Sequence, residues 1–208
     1  MSPTPITARA ARKQDKSAAI LKLAAASFLQ KGYAATSMSA IAAELGGSKG
    51  TLWSYFPSKE ALFEAVLDNE TAAYRQKLSD LLESCGDIRA TLTRFCEGFL
   101  EKVNSPEALA LHRLVEAETI RFPEVGRIFY ERAPRLTYQM LGRYLEQSMD
   151  AGRIRRDDPE RLARRIIALC MSGVHQGLVL GLVERTSEEE LRHDIAESVD
   201  IIMRAYAL

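Results

Sequence analysis

Between Ser48 and Lys59 the chain reads SKGTLWSYFPSK, which packs five hydroxyls, two ammonium groups and three aromatic rings into twelve residues. Such groups hydrogen-bond phosphate oxygens and base edges. Ser48, Lys49 and Gly50 would open a helix whose free amides face an anion, and Gly50 has no side chain to hold the backbone away. Thr51 and Ser54 can bond phosphates or bases, Trp53 and Tyr55 add apolar and hydroxyl contacts, and Lys59 is placed to reach the phosphate backbone. The chemistry expected here is recognition of double-stranded DNA.

These residues need a scaffold that presents them, and the flanking sequence supplies one. Thr36 and Ser37 precede a helix over about 38–45, with Ser37 as its cap. Met38, Ile41, Ala42 and Leu45 fall on one face of that helix, which is therefore buried. Gly46 stops it, Ser48 caps a second helix over 49–55 with Leu52 and Phe56 inward, and Pro57 ends that one. Ser58 caps a third helix, with Glu60 in its positively polarised first turn. Two short helices, a tight turn and a longer helix make a helix-turn-helix. A small three-helix subdomain that merely packs on the rest is the alternative.

The charge distribution supports DNA. The chain is neutral as a whole, with 28 basic and 28 acidic residues, which by itself argues against a nucleic-acid binder. Residues 1–60, however, hold eight Lys/Arg and three acids, leaving twenty and twenty-five for the remainder. The positive charge thus sits on the segment that carries the helix-turn-helix. Residues 1–16 have two prolines and no apolar run, so they read as a disordered basic arm rather than a leader peptide. Arg9, Arg12 and Lys13 could enter a minor groove from there, or the arm could be a solvated tail.

The stretch from Ala24 to Leu67, AAASFLQKGYAATSMSAIAAELGGSKGTLWSYFPSKEALFEAVL, resembles the DNA-binding domain of the TetR family of transcriptional regulators. Phe28 with Gly32-Tyr33, the Thr36-Ser37 pair, the Ser48–Phe56 recognition element and the following Pro-Ser-Lys-Glu all match the family pattern. Gly47 stands where the family usually has an apolar residue, and Trp53 where it usually has tyrosine. The segment from His112 to Pro134 is similar to AcrR/AefR-like members.

From Asn69 onward apolar residues recur at three and four, which predicts helices near 58–84, 87–104, 106–121, 123–150, 159–184 and 187–206, with Pro134 kinking or splitting the fourth. The fold class is all-α. The expected domains are the arm 1–16, the helix-turn-helix 17–64 and a larger ligand-binding and dimerisation domain 65–208. Gly173, Gly177 and Gly181 recur at four in the helix expected over 159–184; each costs about 1 kcal/mol relative to alanine, so the stripe predicts close approach of another backbone. With Ile195, Val199 and Ile202 on the last helix it forms the expected homodimer interface, which the resemblance also implies for the last two helices. Packing of the stripe within one chain is the alternative. Ser172, His175 and Gln176 interrupt the apolar run, which argues against a membrane span.

The resemblance further implies a pocket for a small-molecule inducer among the middle helices. Phe95, Phe99, His112, Glu116, Tyr138, Met171 and His175 are the candidate lining, with core packing or a surface His112–Glu116 pair as the plainer readings. Cys85, Cys96 and Cys170 and the three histidines show no metal-ligand spacing, and an odd number of distant cysteines fits reduced thiols in the cytoplasm. No cofactor motif or catalytic constellation is present in the sequence, so the chain reads as a non-enzyme. The function expected is a ligand-responsive repressor that binds a palindromic operator as a homodimer. A DNA-binding architectural or interaction protein without an inducer is the alternative.

Overall fold

The computed structural model describes residues 5–46, 49–83 and 86–208, with side chains described from residue 13 onward except at 49. Gly47, Ser48 and Cys85 therefore lie outside the described residues, as does the side chain of Lys49. Among the described residues there are eleven helices and no strand, only an isolated antiparallel bridge between Ile154 and Ala207.

The first helices are α1 (Pro5–Ala35), α2 (Met38–Glu44), α3 (Lys49–Tyr55) and α4 (Lys59–Glu83). There follow α5 (Ile88–Val103), α6 (Pro106–Thr119), α7 (Pro123–Arg132) and α8 (Pro134–Asp150), then α9 (Pro159–Met171), α10 (Val174–Leu180) and α11 (Glu188–Tyr206). Most boundaries have a local cause. Ser37, Asp87, Asp158 and Ser187 each accept an amide of the following first turn, and Ser187 forms a reciprocal capping box with Glu190. Prolines open α6, α7, α8 and α9, where no intrahelical donor is lost. Pro134 splits the 123–150 segment into α7 and α8, as its missing donor requires.

The structure departs from the sequence reading in three places. Residues 5–16 fall within α1: alanine, arginine and lysine dominate them, and the helix runs on from the buried Ile20, Ala24 and Phe28 stripe back to Pro5. The helix expected over 159–184 is broken after Met171. Gly173 has non-helical backbone (φ −96°, ψ −120°), and a Cβ there would lie 2.1 Å from Asp194 Oδ2. That carboxylate accepts the Val174 amide at 2.8 Å and so starts α10, and Gly181 ends α10 in the left-handed region at φ 72°. The glycine repeat thus marks the two ends of a short helix, not a stripe along a long one.

The third concerns how the chain divides. The chain forms two compact units, one of residues up to Glu70 with Leu114–Arg132, the other of Thr71–Arg113 with Ala133–Leu208. The end of α6 and all of α7 therefore pack with the helix-turn-helix, where the sequence reading ends that domain at 64. In the first unit Phe28 and Tyr33 stack at 5.7 Å, Phe63 meets both edge-on, and Phe122 meets Tyr33 at 5.4 Å. Burying each such ring contributes roughly 2–3 kcal/mol. The second unit is built on α5, α8, α9 and α11, whose apolar faces share one core that includes Phe95, Leu145, Ile166 and Val199.

Candidate functional site

The recognition element is α3, seated on α2. Leu52 turns fully inward and Phe56 follows it, which leaves Gly50, Trp53 and Ser54 exposed and Thr51 and Tyr55 half-buried. Trp53 is 39% exposed, a large exposure for the chain's one tryptophan and unusual unless the ring has a partner surface. The Ser54 hydroxyl donates to the Thr51 carbonyl at 2.7 Å, so only its lone pairs face outward. Lys13 of α1 stands 5.9 Å from the centre of the Tyr55 ring. The structure thus brings a lysine of the expected arm to the recognition helix, held there by helix rather than by a tail.

Three predicted DNA contacts have other work. Thr36 is buried, and its hydroxyl lies 2.8 Å from the Gly32 carbonyl and 3.1 Å from that of Ser27. It closes the α1–α2 connection. The Ser37 hydroxyl accepts the Ala40 amide at 3.1 Å as the cap of α2. The Lys59 ammonium donates to the Tyr33 carbonyl at 2.9 Å and lies 4.1 Å from the Tyr33 ring centre and 5.6 Å from that of Phe122. A cation held between a carbonyl and two aromatic faces serves as an internal clamp. The sequence could not show this, because Phe122 comes from a segment far along the chain.

Glu118 is a residue that sequence reasoning missed. Its carboxylate, near the end of α6, accepts the Ala34 amide at 3.0 Å, beside Gly32, whose backbone is left-handed at φ 81°. A Cβ on Gly32 would sit 2.9 Å from the same oxygen. Arg132 of α7 pairs with both Glu64 and Asp68 of α4. Nothing in the local sequence of Glu118 or Arg132 announces these partners.

The expected ligand residues divide. Phe95 and Phe99 stack at 6.4 Å inside the core of the second unit, and Tyr138 and Met171 pack against that core. Glu116 is exposed and belongs with the first unit, so it leaves the candidate set. His112 and His175 do come together, with ring centres 5.9 Å apart. His175 is buried, and its Nδ1 meets the Asn104 side-chain oxygen at 2.7 Å. Burial, with the His112 ring adding to it, holds the His175 pKa down to about 4. A groove of about 440 Å³ between α4, α5 and α11 has Leu81, Leu191 and Ile195 at its base and Lys77, Arg94 and Glu101 in its wall, and includes none of the expected ligand residues.

Part of the expected interface is already used within the single chain. Ile195, Val199 and Ile202 are 1%, 2% and 5% exposed in the single chain, so they build its own core. In the second unit the exposed large apolar side chains include Leu180 at the end of α10, Leu182 and Val183 just beyond it, Ile201 on α11 and Leu208, while Ile120 is the most exposed in the first. No described helix is long and apolar enough to cross a membrane.

A short helix set on a capped partner helix, with exposed polar and aromatic residues outward, is a helix-turn-helix reading head, and the second helical unit follows it in the chain. Residues 20–66 match the family described as bacterial regulatory proteins, tetR family, and residues 90–208 match the AefR-like transcriptional repressor C-terminal domain. The chain belongs to the TetR family of transcriptional regulators. Among solved structures it is similar to a chain assigned to that family from Mesorhizobium loti MAFF303099, with 25% identity, 95% of this chain and 99% of that one covered, and a TM-score of 0.81. It is also similar to the flavonoid-responsive regulator FrrA, with 31% identity, coverage of 93% and 98%, and a TM-score of 0.79. A shorter likeness, 36% identity over 78 residues, links 33% of this chain to 39% of the repressor NemR of Escherichia coli K12.

Proposed function

We propose that this protein is a ligand-responsive repressor that binds a palindromic operator as a homodimer and is released by a small-molecule inducer. The observation that carries the reading is the outward side of α3, where Trp53, Ser54 and Gly50 are exposed while Leu52 is buried to hold the helix in place. A seven-residue helix makes too few contacts to bind tightly alone, so two copies at half-sites roughly 34–36 Å apart supply the affinity. Leu180, Leu182, Val183 and Ile201 are among the apolar groups available to pair the copies. The repressor sense rests on the match to a repressor C-terminal domain, and the inducer sense on the likeness to a regulator named as flavonoid-responsive. The protein then works beside bacterial DNA in the cytoplasm.

Footprinting of the purified protein on its own upstream region tests this. The expected result is a protected site with dyad symmetry, lost on addition of an inducer. Protection without dyad symmetry, or bending of DNA with little sequence preference, would favour an architectural protein instead.

A further inference from the structure

Asn104 caps the C-terminus of α5, and His175 sits in the first turn of α10. Their side chains meet at 2.7 Å between Asn104 Oδ1 and His175 Nδ1. An amide oxygen only accepts, so Nδ1 carries the hydrogen. His175 is 3% exposed, and burial keeps its ring uncharged near neutral pH. Its Nε2 is therefore a bare lone pair. Asn104 Nδ2, by contrast, brings N–H donors. Both atoms are buried, and neither has a hydrogen-bond partner among the described residues. Native interiors leave few such atoms, and each calls for a partner such as a water, an ion or a ligand; the others here are the lone hydroxyls of Tyr33, Tyr74 and Tyr144, whereas these two belong to one hydrogen-bonded pair.

The pair defines a chemistry. A carboxylate would meet the Nε2 lone pair, and an ammonium would meet the Asn104 N–H groups. The cation that follows His112, Arg113, is held by the carbonyls of Leu178 and Val179. The fitting partner is uncharged, with a hydrogen to give and an oxygen to accept. We propose that His175 Nε2 and Asn104 Nδ2 anchor a small-molecule site for an uncharged hydroxylated ligand, whose O–H donates to Nε2 while an oxygen accepts from Nδ2. The site names the ligand class of the ligand-responsive reading above and rests on it. The His112 ring, 5.9 Å from that of His175, forms part of its wall. Entry requires α10 to shift, and α10 is seven residues long and bounded by Gly173 and Gly181, which confine its backbone change to two positions.

Three matched probes test the assignment by calorimetry on the full chain: 4-hydroxybenzophenone, 4-methoxybenzophenone and benzophenone-4-carboxylate. The hydroxyl compound is expected to bind at least tenfold more tightly than either of the others. His175→Phe and Asn104→Leu should each remove that preference, bringing the affinity of the hydroxyl compound to that of the methoxy compound within about twofold. The comparison of probes on the unaltered protein stands even where a variant fails to fold. Equal binding of the hydroxy and methoxy compounds, no binding of the hydroxy compound, or preference for the carboxylate overturns the proposal. An ordered water serving the two atoms would give one of those results. DNA binding is scored in a separate titration. Hydroxyl preference without DNA recognition sinks the repressor reading and leaves the site; DNA recognition without hydroxyl preference does the reverse.

Discussion

Glu118 accepts a hydrogen bond from the backbone amide of Ala34 across 84 residues of chain, at 3.0 Å. It does so where Gly32 takes left-handed backbone, at the turn that delivers the chain into the helix-turn-helix. A carboxylate from α6 thus fixes the entry of the reading head.

Glu118→Ala should lower stability by about 1 kcal/mol, which in a chain of this size is roughly 2–4 °C in Tm. Gly32→Ala should cost more, about 1–2 kcal/mol for the left-handed backbone with the crowding at the carboxylate added. Thermal melts of the two variants check both. An unchanged Tm for Gly32→Ala would mean that the turn relaxes without loss.

The two lysines near the reading head should separate in a salt titration. Lys13→Ala is expected to reduce the slope of log affinity against log salt by about 0.9, the value for one phosphate contact. Lys59→Met should leave the slope unchanged and lower Tm instead, because its ammonium is held by the Tyr33 carbonyl and ring. A Lys59→Met slope reduced like that of Lys13→Ala would return Lys59 to the DNA.

Trp53→Ala should weaken operator binding by tenfold or more and lower stability by about 1 kcal/mol at most, since the residue is 39% exposed. Band-shift titrations beside thermal melts separate the two effects. A fall in Tm of many degrees would show that the ring packs rather than reads.

Acid should destabilise the second unit through His175. Its folded pKa, about 4, lies below the unfolded value near 6.5, so the unfolded chain takes up the proton first as pH falls. The contribution is complete above about pH 6.5, declines through the window down to about 4, and is absent below it. Its size is about 3 kcal/mol. The groups nearby are His112 on α6, which adds to the depression, and Arg113, engaged with the carbonyls of α10. His175→Gln should flatten the loss of stability between pH 7 and 5 in urea melts.

Gly173→Ala should destabilise by roughly 1–3 kcal/mol, because the new methyl would overlap the Asp194 carboxylate. Asp194→Ala should cost the α10 cap. The double variant should lose less than the sum of the two, since each change removes the reason for the other's cost. Strict additivity would show that the two residues do not share one space.

Much of this molecule was legible from local sequence. Ser37, Asp87, Asp158 and Ser187 act as caps because a side-chain oxygen two or three residues from a free amide needs no distant help. Prolines at 106, 123, 134 and 159 start helices for the same local reason. The inward Leu52 and outward Trp53 of the recognition helix follow from helical spacing alone. The residues whose roles changed are those whose partners are remote. Thr36 and Lys59 look like phosphate ligands until Ser27, Tyr33 and Phe122 close around them.

The sequence by itself determined that this chain is helical, where most helices start and stop, and which seven-residue helix turns polar and aromatic residues outward. These are short-range matters of backbone hydrogen bonding and periodicity. Only the tertiary structure decided that the end of α6 and α7 belong with the helix-turn-helix, that Gly173 makes room for Asp194, and that His175 meets Asn104. Those facts depend on which surfaces of distant helices fit together. A glycine or a buried polar atom records that something comes close, and packing alone says what.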